Sequence, residues 1–200
     1  MTTSRPRLEE IWKYFPGGYH PVEIGEELHE GRYRILHRLG HGSFSTVWLA
    51  LNNHHGTGSS HPFGTIPRPA PRSRYVAIKI FVGDMDDVKD ERSIYRRLAP
   101  QEPIQDTCIG DNTGTASGSE FVVTMLDEFG IRGPNGFHRC VVTDVLGPTV
   151  AAVKECSELD AFPLPLEIAR RATFQCAKGL AFLHSQGIVH GGMCLPHPHV

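Results

Sequence analysis

An α+β fold is predicted by the sequence, with a β-rich front portion that holds one helix and a helical portion behind it. Three observations carry this. "YRILHRLGHGSFSTVWLA" (33–50) is two β-rich runs around a glycine-containing turn, closed by Val47, Trp48 and Leu49. "FVVTMLDEFG" and "HRCVVTDVLG" are two further apolar runs joined by "IRGPNGF", where Asn135-Gly136 is a favourable hairpin pair. From about Pro165 the period changes to that of a long helix, "LEIARRATFQCAKGLAFLHSQG".

Taken in chain order, the first hairpin is followed by residues 52–74, rich in Gly, Pro, Ser and His without an apolar period, and so a loop insert. "YVAIKIFV" (75–82) is a compact apolar strand. "VKDERSIYRRLA" (88–99) sets Val88, Glu91, Tyr95 and Leu98 on one side of a helix. Residues 100–119 read as a second loop before the second hairpin. In the last helix Ile168, Ala172, Gln175/Cys176, Leu180 and Leu183 recur at helical spacing, and Gly187 is the expected C-cap.

The 200 residues carry 20 Lys+Arg against 22 Asp+Glu, so no overall basic field points to nucleic acid or an anionic membrane surface. "MTTSRPRLEE" lacks the apolar core of a signal peptide, and no window approaches the roughly 18 apolar residues of a membrane span. An intracellular protein is expected. Its five cysteines, without a CxxC pair, suit reduced, buried thiols. His184, His190, His197 and His199 with Cys194 match no tetrahedral zinc spacing, so no metal site is assigned.

Two stretches carry chemistry. In "LGHGSFSTV", Gly40 and Gly42 let backbone N–H groups approach phosphate oxygens. Taken alone, this stretch equally suits a glycine turn with no ligand. In "VAIK", Lys79 ends an apolar strand and needs an anionic partner, with Glu91 on the next helix a candidate. A strand-end lysine reaching water is the alternative.

Together, a glycine turn between strands, Val-Ala-x-Lys on the next strand and a Glu-bearing helix follow the order of the protein kinases, which the chain resembles. "GGYHPVEIGEELHEGRYRILHRLGHGSFSTVWLA", "LDEFGIRGPNGFHRCVVTDVLG" and "GLAFLHSQGIVHG" look most like the serine/arginine-rich-protein kinases, and Ser45 in place of a third glycine matches that subfamily. The likeness runs from about residue 12 to 192, outside the inserts 52–74 and 100–119. It implies a two-lobe kinase fold: an N-terminal extension (1–32), an N-lobe of about five antiparallel strands with the Glu91 helix and hinge (33–146), and a partial helical C-lobe (147–200).

The resemblance also implies ATP as cofactor. Leu39, Gly40, His41, Gly42, Ser43, Phe44, Ser45, Thr46 and Val47 would cover the phosphates, and Lys79, oriented by Glu91, would contact the α/β-phosphates. Leu39, Val47 and Ala77 would form the upper adenine wall, with Thr143 at the gate and Asp144 to Leu146 offering backbone groups. The implied activity is ATP-dependent phosphorylation of serine in Arg/Ser-rich, splicing-type proteins, in the cytoplasm or nucleus and without direct nucleic-acid or membrane binding.

The likeness stops short at the catalytic loop. Against His-Arg-Asp-Leu-x-x-x-Asn, "HGGMCLPH" sets His190 in register but Gly192 at the base Asp, Cys194 at the phosphate-steadying lysine and His197 at the magnesium-binding Asn. The Mg2+ ligands are absent, since that ion prefers hard oxygen donors. The sequence therefore reads as a truncated kinase, inactive as written, or alternatively as a short pseudokinase that binds nucleotide or serves as a scaffold.

Overall fold

The structure is a computed structural model and describes residues 11–53, 74–83, 93–95, 97–98, 118–150 and 164–189. The chain divides into two compact units, one of residues 1–93 with 124–145 and one of residues 94–123 with 146–200.

The first unit is a six-stranded antiparallel sheet. Its strands are β1 (Glu27–Leu28), β2 (Tyr33–His41), β3 (Ser45–Asn52), β4 (Tyr75–Phe81), β5 (Met125–Gly133) and β6 (Gly136–Asp144), in the order β1-β2-β3-β4-β6-β5. The predicted strands all form, and β1 adds a sixth. β4 is buried at most positions on both faces, whereas β2 alternates buried and exposed positions along much of its length. The insert after β3 leaves and returns at one place, since Asn52 N–H donates to the Arg74 carbonyl (2.8 Å) and Leu51 pairs with Tyr75. A long insertion between strands so closely paired adds little closure entropy to the sheet.

One sheet face makes the core: Tyr33, Ile35, Trp48, Ala50, Val76, Ile78, Ile80, Cys140 and Val142, joined by Leu28, Leu126 and Phe129. These residues come from every strand, including both edge strands, so the sheet curls until its two edges meet. The closure is polar. Asp127, at a bulge in β5, is buried and accepts hydrogen bonds from Arg32 Nη1 (3.0 Å), Tyr33 Oη (2.8 Å) and the Glu128 N–H (2.8 Å). Around it the rings of Tyr33 and Phe129 stack at 5.7 Å and those of His29 and Phe129 at 4.6 Å.

The β5–β6 turn corrects the sequence reading. Gly133 pairs with Gly136, so the two loop residues are Pro134 and Asn135, and Gly136 (φ 123°) already belongs to β6. A two-residue Asn135-Gly136 loop would need the residue before it to pair with Phe137 through its own N–H, which Pro134 lacks. Cys140 is buried as expected, but Cys176 is exposed, and Cys108, Cys156 and Cys194 lie outside the described residues.

In the second unit, helix α1 (Leu166–Ser185) packs on a 3-10 turn, Ser119–Phe121. Contact is close at Gly118, where a Cβ would lie 2.3 Å from the Lys178 carbonyl oxygen, while one on Gly179 would make ordinary contact with Phe121. Gly179 is buried, and Ala169, Ala172, Gln175, Leu180, Phe182 and Leu183 are partly buried. The predicted positions Ala172, Gln175, Leu180 and Leu183 thus lie inward, while Ile168 and Cys176 point out. Leu166, Ile168 and Phe174 are 67%, 54% and 60% exposed. The helix ends as predicted at Gly187 (φ 68°), where Ile188 N–H donates to the Leu183 carbonyl and Gly187 N–H to that of His184, both at 2.9 Å. Arg97 Nη2 adds a bond to the Gln186 carbonyl at 2.5 Å. Positions 93–95 and 97–98 are helical, as the 88–99 prediction requires, while Val88 and Glu91 lie outside the described residues. Among the described residues no helix is long and apolar enough to cross a membrane.

Candidate functional site

The glycine turn sits at the tip of the β2–β3 hairpin. Its last pair is His41 with Thr46, Gly42 N–H donates to the Ser45 carbonyl (2.8 Å), and a bulge between Arg38 and Gly40 displaces Leu39, which is half exposed. Ser43 and Phe44 form the exposed tip. Nothing among the described residues demands glycine at positions 40 and 42. A Cβ on Gly40 would meet none of their atoms within 4 Å, one on Gly42 only the Ser45 hydroxyl at 3.9 Å, and neither residue has positive φ. Gly133 is different, because a Cβ there would sit 2.4 Å from the His20 ring. Glycines required by neither packing nor backbone leave open space against the main chain, which is what an approaching phosphate needs.

Strand register brings the other predicted residues together. Val47 opposes Lys79, Leu49 opposes Ala77, and across β4 Lys79 opposes Val141 and Ala77 opposes Thr143. Paired residues share a face, so Val47, Ala77, Lys79 and Thr143 line the side of the sheet opposite the core. Lys79 is partly buried with its Nζ 4.6 Å from the Phe81 ring centroid. The side chains of Thr46 and Asp144 are placed otherwise. Thr46 lies on the core parity, where its hydroxyl accepts the Trp48 indole N–H at 3.0 Å, so what it can offer at the hairpin is backbone. Asp144 also falls on the core parity, and its carbonyl accepts the Thr143 hydroxyl at 3.2 Å. Leu146 belongs to the second unit and is 64% exposed. Glu91 and positions 190–197 lie outside the described residues. Among the described residues no group of three or more His, Cys, Asp or Glu could hold a metal ion.

Sequence reasoning missed the segment that abuts this hairpin. Residues 17–20, Gly-Gly-Tyr-His, run against the ends of three strands. Gly17 N–H donates to the Asn135 carbonyl (2.7 Å), Gly83 N–H to the Gly18 carbonyl (3.0 Å), and Asn135 Nδ2 to the Tyr19 carbonyl (2.7 Å). The Tyr19 ring is 1% exposed, and its hydroxyl donates to the Gly42 carbonyl within the glycine turn. His20 packs against His138, ring centroids 4.8 Å apart, and its Nδ1 is buried without a hydrogen-bond partner among the described residues. Burial, and then the proximity of His138, lower its pKa to about 4. The Gly-Gly pair was the only local signal for this packing.

The comparisons with known proteins agree with this geometry. No model of a protein family matches the chain. The serine/threonine-protein kinase SKY1 of Saccharomyces cerevisiae is 33% identical over 95% of this chain and 23% of its own length. Protein kinase dsk1 of Schizosaccharomyces pombe and SRSF protein kinase 3 of Homo sapiens are each 32% identical over 91% of this chain, covering 29% and 27% of their own lengths. Among solved structures, the crystal structure of a kinase domain overlays 84% of this chain and 39% of its own with a TM-score of 0.56 at 14% identity, a likeness of fold. The chain spans 23–29% of the length of these three curated relatives, and along about nine-tenths of its own length its sequence is similar to the SRPK-type serine/threonine-protein kinases.

Proposed function

We propose that the chain binds the phosphates of ATP beneath the 40–47 hairpin, with Lys79 as the cation that receives them. The observation that carries this is the pair Gly40 and Gly42, open to a ligand and required by nothing among the described residues, on the hairpin whose Val47 faces Lys79. Backbone N–H groups of the turn supply donors to phosphate oxygens, Lys79 supplies charge, and Val47 and Ala77 supply an apolar surface for the base. Glu91 orients Lys79, and residues 33–146 and 147–200 act as the upper and lower lobes. The substrate class is serine in Arg/Ser-rich proteins, met in the cytoplasm or nucleus. SRSF protein kinase 3 and its relatives support this by likeness.

The chain as written binds without transferring. Phosphoryl transfer depends on positioning and on charge supplied by a base and metal ligands. Gly192 carries no carboxylate, and Cys194 and His197 replace the other two groups of the catalytic loop. A nucleotide-binding or scaffold module is the corresponding second reading, favoured by Gly192 alone. Incorporation of labelled phosphate into an Arg-Ser peptide, with Lys79→Met as control, separates the two. Transfer by the unaltered chain that vanishes in Lys79→Met overturns the inactive reading, whereas nucleotide binding lost in Lys79→Met without any transfer supports it.

A further inference from the structure

The 17–20 segment is tied to the glycine turn at a single hydrogen bond with a direction. Peptide planes are rigid and trans, so the Gly42 carbonyl and the Ser43 N–H point to opposite sides of their shared plane. Glycine is the residue at which that plane turns over most readily. Two anchors oppose such a turn. The Tyr19 hydroxyl holds the Gly42 carbonyl, and Val82 N–H holds the Phe44 carbonyl at 3.0 Å. Tyr19 is itself fixed: its ring is buried, its carbonyl is held by Asn135, and its N–H donates to the Lys13 carbonyl at 2.8 Å.

We propose that Tyr19 is a positioning residue for the glycine turn, whose hydroxyl fixes the polarity of the 42–43 peptide so that the Ser43 N–H, and not the Gly42 carbonyl, is presented to a nucleotide phosphate. The proposal rests on the phosphate-binding reading given above. A carbonyl turned toward a phosphate would repel it, and a peptide free to turn would first have to be ordered by the ligand; the buried hydroxyl removes both costs before binding. Residues 17–20 are then a working part of the nucleotide site, although they precede the first strand of the hairpin by more than a dozen positions.

Tyr19→Phe deletes one oxygen and leaves the ring packing in place. In the ligand-free chain, amide exchange over residues 41–46 should rise about tenfold while the melting temperature falls by only a few degrees, since one hydrogen bond is worth about a decade in an opening equilibrium. Mg-ATP affinity, read by NMR titration, should fall by up to about tenfold while adenosine affinity stays constant. Asn135→Ala, which frees the Tyr19 carbonyl but keeps the hydroxyl, should raise the same exchange by a smaller factor. Unchanged exchange at residues 41–46 in a folded Tyr19→Phe chain overturns the proposal, as does an equal weakening of ATP and adenosine. A different failure marks the underlying reading: an unaltered chain that binds ATP no better than adenosine shows that the turn receives no phosphate. In that case the exchange arm still decides whether Tyr19 holds the turn.

Discussion

Replacing Asp127 with Ala should open the seam at which the curled sheet closes on itself. The carboxylate is buried, with its side chain 2% exposed, and satisfies Arg32, Tyr33 and the Glu128 N–H at 3.0, 2.8 and 2.8 Å. The Arg32 side chain is only 12% exposed, so water cannot fully replace its lost partner. Removing one member of a buried ion pair costs about 3–5 kcal/mol, most of it the charge left behind. Tyr33→Phe removes a neutral donor to the same carboxylate and should cost about 1 kcal/mol. Urea unfolding followed by Trp48 fluorescence reports on this unit, because that indole is buried and hydrogen-bonded within it. With an m-value of ~2 kcal/mol/M, the Asp127→Ala midpoint should drop by about 2 M and that of Tyr33→Phe by about 0.5 M. If the alanine variant moves the midpoint by no more than the phenylalanine one, the charge is not what holds the two edges together.

Acid should weaken the same unit through His20. Its folded pKa is about 4 against 6.5 unfolded, so the unfolded chain takes the proton first. The contribution is whole above pH 6.5, declines as the pH falls toward 4, and amounts to about 3 kcal/mol at full loss. His20→Phe should flatten that stretch of a stability-against-pH curve, and an unaltered slope would assign it to other groups. In the second unit, Gly118→Ala meets both a positive φ (85°) and the Lys178 carbonyl oxygen, 2.3 Å from the new Cβ. A cost above about 2 kcal/mol is expected, seen as faster amide exchange in the last two turns of α1; unchanged protection there would count against the packing described. Lys79→Met should abolish any Mg-ATP-dependent rise in melting temperature while leaving the ligand-free value nearly constant. Persistence of that rise would move the phosphate site elsewhere.

Much of the fold was legible because its signals were local. Alternation and β-branched runs located the strands, and the 3.6-residue period located α1 together with its stop at Gly187. The misjudged turn was also local, but Pro134 outweighed Asn135-Gly136, and a dipeptide rule could not weigh the residue before it. On α1 only Ile168 and Cys176 of the predicted inward face were misjudged, and the buried Gly179 was missed because a small residue is weak in any hydrophobic pattern. Asp127 is harder still: in sequence it is one acid in "LDEFG", and its burial depends on Arg32 and Tyr33, more than ninety positions earlier. Of the candidate site, Val47, Ala77 and Lys79 meet on one face as their strand positions imply, whereas the Tyr19 contact joins residues 23 apart through a segment with no period at all.

The closed seam also bears on how this sheet behaves beside copies of itself. An open edge strand offers unpaired N–H and carbonyl groups to any neighbouring chain. Here one edge is β1, only two residues long, and the other is β5, bent by a bulge and carrying an inward-facing carboxylate. Neither edge is a long, flat template, so the Asp127 cluster protects the unit from edge-to-edge association as well as stabilising it, and a variant that loses the cluster should aggregate before it fully unfolds.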